Sequence, residues 1–236
     1  MVTLLIAAAV FLAIHFLVSG TRLRDAIVGA IGEGPYMGLF SLASLGAIIW
    51  LCISYNQAQA SGDNPLLYDL GVGVKHLAIP AVLIAFLLAV PGLFTPNPTS
   101  IKQAIVAAKP GAGKGIVAVT RHPFLWGVVI WSAMHLALNG DAASVILFGT
   151  FFVLSLFGPL SIDAKRKRKM GADWDDFAAR TSNVPFAAVI SGRAKLNWGE
   201  LLDWRMGVAV LLFVIVLFGH AHVIGVSPFP SGWQPF

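Results

Sequence analysis

The sequence predicts an all-α protein, a polytopic transmembrane helical bundle of about six spans, and three observations predict it. Of 236 residues, 57% are hydrophobic and only 11% are charged, whereas soluble domains carry roughly 25% charged residues, so there is too little polar surface to coat a globule in water. Six stretches approach the about 20 apolar residues that a helix needs to cross a hydrocarbon core about 30 Å thick. The basic residues are also sorted along the chain: of 16 Lys and Arg, all but Lys75 fall in alternate connections between these stretches.

The first stretch, Val2–Ser19, lacks a basic leading segment and an A-x-A cleavage pattern, so it reads as an uncleaved first span rather than a signal peptide. The others are residues 36–55, 76–94, 120–138, 142–162 and 206–226. The fourth opens on Arg121, His122 and Pro123, which places its start at the interface. Each is expected to be helical, because lipid offers the backbone no outside partner and the alternating pattern of a barrel strand is missing. Pro80, Pro91 and Pro159 are expected to kink or end their helices. Without an internal repeat or a separable soluble segment, residues 1–236 read as one integral membrane domain.

Orientation follows from the charges. The first, third and fifth connections hold Arg22, Arg24, Lys102, Lys109, Lys114, Arg121, the basic run 165–169, Arg180, Arg193, Lys195 and Arg205. Six crossings put all of them on one face, and the positive-inside rule makes that face cytoplasmic, with both termini periplasmic. The formal charge of +5 is then directed at anionic lipid headgroups, not at nucleic acid. The run 165–169 reads as a stop-transfer and headgroup contact. In residues 173–180, Trp174, Phe177 and Ala178 fall at i, i+3 and i+4, which predicts a short amphipathic helix on the cytoplasmic face.

Several familiar chemistries are excluded. The string Gly111-Ala112-Gly113-Lys114-Gly115 lacks the Ser or Thr and the upstream glycine of a phosphate-binding loop, so it reads as a flexible connection. Cys52 is the only cysteine, which rules out an internal disulfide or a cysteine-built zinc site; it reads as a small buried residue. No C-x-x-C-H or H-E-x-x-H pattern occurs.

The histidines remain. His15, His76, His122, His135, His220 and His222 all fall within or at the ends of predicted spans, and an ionisable side chain in hydrocarbon usually faces the bundle interior and serves a site. His220 and His222 point to nearly opposite sides of one helix. His122 and His135 are thirteen residues apart, about 20 Å of rise and about 220° of rotation. Neither pair can hold one iron, so a bis-histidine haem requires ligands from two helices.

The strings Thr120-Arg121-His122-Pro123-Phe124-Leu125-Trp126-Gly127, Trp131-Ser132-Ala133-Met134-His135 and Asn139-Gly140-Asp141 resemble the signature of the NnrU family. Val184-Pro185-Phe186-Ala187-Ala188 with Gly192-Arg193, and His15 followed by Arg22 to Asp25 and Gly32-Glu33, extend the resemblance over nearly the whole chain. NnrU proteins are membrane proteins associated with denitrification and homologous to the plant 15-cis-ζ-carotene isomerase, a b-haem protein. The resemblance implies a bacterial inner-membrane protein that binds haem b, with an accessory or redox role linked to nitrite and nitric oxide reduction. The alternative it implies is haem-dependent cis–trans isomerisation of a carotenoid; a structural or transport protein without haem is a third reading. The expected partners are membrane lipid and either an apolar polyene substrate or an electron-transfer protein.

By motif position, the resemblance puts the axial iron ligands on His15 and His135, with His122 nearby in the site and a further family histidine at His76. Arg121 is expected to pair with a haem propionate, or to stand as a boundary charge. Ser132 departs from the isomerase, which has a cysteine three residues before the second ligand, implicated in redox-linked ligand exchange. By depth along the predicted spans, His15 with His122, or His135 with His220 or His222, are competing pairs.

Overall fold

The computed structural model describes residues 1–99 and 111–230; Lys102 and Lys109 lie outside them. Among the described residues the regular structure is helical, and the single strand-type pairing is an isolated antiparallel bridge, Leu66 to Asp141. In order the helices are α1 (Val2–Ala13), running on as a π-helix (Ile14–Ser19), α2 (Arg22–Ile31), α3 (Glu33–Ala60), α4 (Val72–Phe94), α5 (Ile116–Val119), α6 (Pro123–Leu138), α7 (Ala142–Met170), α8 (Ala172–Arg180), α9 (Ala187–Ile190), α10 (Trp198–Leu201) and α11 (Trp204–Ile224). Local chemistry sets the ends. Thr21, Asp141 and Asp203 accept backbone N–H bonds from Leu23, Ser144 and Arg205 at the starts of α2, α7 and α11. Pro123 opens α6, where its missing N–H costs nothing.

Among the described residues, five segments are long and apolar enough to cross a membrane: Val2–Ser19, Glu33–Ala60, Val72–Phe94, Ala142–Met170 and Trp204–Ile224. The sixth, α6, has 16 residues, about 24 Å of rise. It lies antiparallel between α4 and α7: its start meets the ends of both, Gly92 against Pro123 and Asp163 against His122, and its last turn meets Phe148 near the start of α7. Beyond this trio, α11 packs on α4, and α1 packs between α3 and α7.

Small residues permit these approaches. A Cβ on Gly127 would stand 2.6 Å from the Ala85 carbonyl, and one on Gly92 would stand 2.7 Å from the Phe124 nitrogen, so α4 and α6 touch through backbone. Ala7, Ala8, Ala58 and Ala143 play the same part where α1 meets α3 and α7, around Leu4, Leu51 and Leu147.

Several expectations change. The basic run 165–169 continues α7 as helix to Met170, where cations favourably face the helix C-terminus. The helices do not end at Pro80 or Pro159 and run three residues beyond Pro91, since a proline forfeits one backbone bond that close packing offsets; Pro159 is fully buried. Cys52 is exposed on α3, not buried. In lipid the outer face is as apolar as the core, so hydrophobicity does not distinguish the two. Leu17, Leu42 and Leu160 are likewise more than half exposed. The short amphipathic helix is α8, and it seats Trp174 and Phe177 in a buried cluster with Val117 and Val119 of α5.

Candidate functional site

His15 sits in the π-helix with its ring 4.5 Å from Phe11 and 5.5 Å from Phe40 of α3. Its Nδ1 lies 2.8 Å from the Phe11 carbonyl. A carbonyl can only accept, so Nδ1 carries the proton and Nε2 presents a lone pair. His135, in the last turn of α6, repeats the arrangement: Nδ1 stands 2.8 Å from the Trp131 carbonyl, and its ring lies 4.7 Å from both Trp131 and Phe148. Two imidazoles on different helices are thus held in the tautomer that suits a metal ligand.

An aromatic cluster joins them. Phe151 of α7 lies 5.8 Å from Phe11 on one side and 5.8 Å from Trp131 on the other. Since α1 and α7 run in the same direction, α7 serves as a ruler. His135 stands level with Phe148, Phe11 with Phe151, and His15 one turn farther on, which gives an axial offset of about 10 Å between the two histidines. Tyr36, one turn before Phe40, is buried with its hydroxyl lacking a hydrogen-bond partner, and the Arg24 guanidinium stacks over its ring at 5.3 Å.

Arg121 and His122 occupy the other end of α6, joined by an acid that the sequence reading did not single out. Asp163 of α7 accepts from Arg121 Nε at 2.9 Å and Nη2 at 2.5 Å through one oxygen, and its other oxygen lies 2.7 Å from His122 Nε2. The His122 ring is buried, and the Arg121 guanidinium stacks on Trp174 at 5.7 Å. The Arg121 backbone is fastened too: its N–H donates to Ser182, and its carbonyl accepts from Asn97 and Thr99. This cluster lies about 20 Å along α6 from His135, so the structure groups Arg121 with His122 and groups His15 with His135 through the aromatics.

Of the remaining histidines, His76 and His222 are exposed. His220 of α11 donates from Nδ1 to the Val226 carbonyl at 2.6 Å. Ser132 is fully buried and turned into its own helix, its hydroxyl bonded to the Val128 and Val129 carbonyls at 2.6 and 3.1 Å. Among the described residues no three His, Cys, Asp or Glu side chains gather as a metal-ion cage.

Asp163 was legible as the last acid before a basic run; its partner was not, because forty residues separate them in the chain. Tyr36 carried no signal beyond its position at the start of a span.

A sequence profile described as NnrU protein matches residues 3–228. The chain is 27% identical over 199 residues to the chloroplastic 15-cis-zeta-carotene isomerase of Zea mays, and 28% identical over 201 residues to that of Arabidopsis thaliana. Each match covers 83% of this chain and 52% of the relative, so the chain spans about half the length of these curated relatives. No solved structure matches.

Proposed function

The chain belongs to the NnrU family, and from that premise we propose that it is a multi-pass membrane haem protein that isomerises a cis double bond of a long apolar polyene. The observation that carries this is the matched pair His15 and His135, each with Nδ1 tied to its own helix, which leaves Nε2 with its lone pair, and each with its ring in one connected aromatic cluster. The donor set fits a porphyrin iron, which brings four nitrogens of its own and asks the protein for two imidazoles. The aromatic cluster suits an apolar macrocycle. The unpartnered Tyr36 hydroxyl suits a carboxylate on the His15 side, with Arg24 over its ring already paired with Glu33 at 3.1 Å.

When bound, the iron supplies an electrophilic or one-electron centre that lowers the double-bond order of a conjugated chain. The protein's own contribution is to hold the two imidazoles in one tautomer, to exclude water with Phe11, Phe40, Trp131, Phe148 and Phe151, and to admit an apolar substrate sideways from lipid. Isomerisation changes no atom count and no net electron count. The relatives' names support the substrate class, and the membrane-crossing helices support lateral entry. In this reading all six long segments, α6 included, cross the bilayer, and the basic connections face the cytoplasm of a bacterial inner membrane.

A second reading is a redox accessory to denitrification, and Ser132 favours it. A hydroxyl spent on its own helix offers no alternative iron ligand, and a haem held by His15 and His135 would supply electron transfer without needing one. Absorption spectra of purified protein, oxidised and reduced, test the shared premise: Soret and α bands of low-spin haem are expected. Reduced protein given a 15-cis polyene in detergent then separates the two. Formation of the trans isomer supports the first reading; a haem spectrum without any isomer shift sinks it and leaves the second.

A further inference from the structure

The glycine string 111–115 is not idle in the fold. It lines a recess of about 370 Å³ where α4 ends and α11 begins, together with Thr95, Glu200, Asp203 and Arg205. Gly111, Gly113 and Gly115 all have positive φ, and a Cβ on Gly115 would stand 2.9 Å from the Glu200 carbonyl. Only glycine lets the loop close on α10 in this way. Inside, Lys114 Nζ is 3.2 Å from Glu200, and Arg205 Nη1 pairs with Asp203. The Arg205 Nε is buried and has no hydrogen-bond partner. The surroundings are apolar and open to the side: Phe94, Trp198, Leu202 and Trp204 are each more than half exposed.

We propose that this recess is a headgroup site for a zwitterionic phospholipid of the phosphoethanolamine type. Two cations and two carboxylates line it, so a ligand carrying one phosphate and one ammonium matches its charge. A purely anionic ligand would set phosphate oxygens against Glu200 and Asp203. The accessible part of the Arg205 side chain, 26% exposed, presents the guanidinium to a phosphate oxygen beside Lys114, and the ligand's ammonium donates to Glu200, taking the place of the exposed Lys114 contact. The occupant is a lipid, because the recess opens between the ends of two membrane helices. Tryptophans at that level mark the bilayer interface, and the exposed apolar faces of α4 and α11 receive the acyl chains. None of these residues belongs to the His15 and His135 site, so the inference stands or falls apart from it.

Native mass spectrometry of the full chain, released from bilayers of equal phosphatidylethanolamine and phosphatidylglycerol, tests it. Wild type is expected to retain phosphatidylethanolamine in about tenfold excess. Arg205→Lys, which keeps the charge and removes the planar guanidinium, is expected to lose that excess. Glu200→Gln, a near-isosteric change of a half-buried side chain that leaves the fold intact, is expected to shift retention toward phosphatidylglycerol. Equal retention of both lipids by wild type, or a preference unmoved by Glu200→Gln, overturns the proposal. Calorimetry with water-soluble glycerophosphoethanolamine checks the source: no measurable binding is expected, and tight binding of that headgroup alone overturns the lipid assignment in favour of a soluble phosphate ester.

Discussion

Asp163 Oδ1 lies 2.7 Å from His122 Nε2, while Asp163 Oδ2 receives both Nε and Nη2 of Arg121. One carboxylate of α7 therefore locks the two polar residues that precede α6. Because the arginine and carboxylate are only 15% and 18% exposed, removing one partner leaves an uncompensated charge. Asp163→Ala is expected to cost about 3 kcal/mol, read as a lower melting temperature in detergent. An unchanged melting temperature would show that the cluster is not structural.

His135→Ala and His15→Ala are each expected to abolish retention of haem, since each removes an imidazole whose Nε2 keeps its lone pair. His76→Ala and His222→Ala, on exposed side chains, are expected to retain it. Equal pigment in wild type and His135→Ala refutes the ligand assignment.

His220 supplies the sharpest alternative, because it too has Nδ1 bonded to a carbonyl. The His15 assignment predicts a normal low-spin spectrum for His220→Ala. Pigment kept by His15→Ala but lost from His220→Ala would move the second ligand to α11.

Gly127→Ala places a methyl group against the Ala85 carbonyl and Ala89. Backbone cannot yield as a side chain does, so a loss of about 1–3 kcal/mol is expected. Gly149→Ala, with open space around its Cβ position, serves as the control and is expected to melt like wild type.

Asp141 sits outside the spans, between α6 and α7. Burial works against its carboxylate, but hydrogen bonds from Ser144, Asn64 and Gln59 outweigh burial and hold its pKa below the usual value. Its stabilising effect is therefore complete above about pH 4 and is lost as pH falls through the lowered folded-state value. The melting temperature of wild type is expected to drop on that acid limb, and Asp141→Ala is expected to start about 1 kcal/mol less stable at neutral pH and to fall less steeply. Parallel acid limbs would exclude Asp141 as the titrating group.

The positions of the long helices were legible because hydrocarbon thickness sets a minimum apolar run, which is why Val2–Ser19 was read to its last residue. Their inward faces were not, as Cys52 shows, since lipid and core reward the same side chains. The pairing of His122 with Asp163 and the aromatic bridge from Phe11 through Phe151 to Trp131 depend on which helices become neighbours, and no local pattern encodes that. The TRHP string was recognisable by type, yet its geometry makes it a clasp between α6, α7 and α8. The histidines stood out from sequence because ionisable groups in lipid are rare; which nitrogen each one leaves open depends on a carbonyl four residues earlier.

The wide turn after Ala13 carries one more residue than an α-helix of equal rise requires. That surplus separates two directions that a regular helix would couple: where the imidazole of His15 aims, and where the chain exits toward Lys165, whose ammonium grips the Ser19 carbonyl at 2.7 Å. Deleting a single amino acid downstream of His15 would remove that surplus and restore ordinary winding, coupling the two directions again.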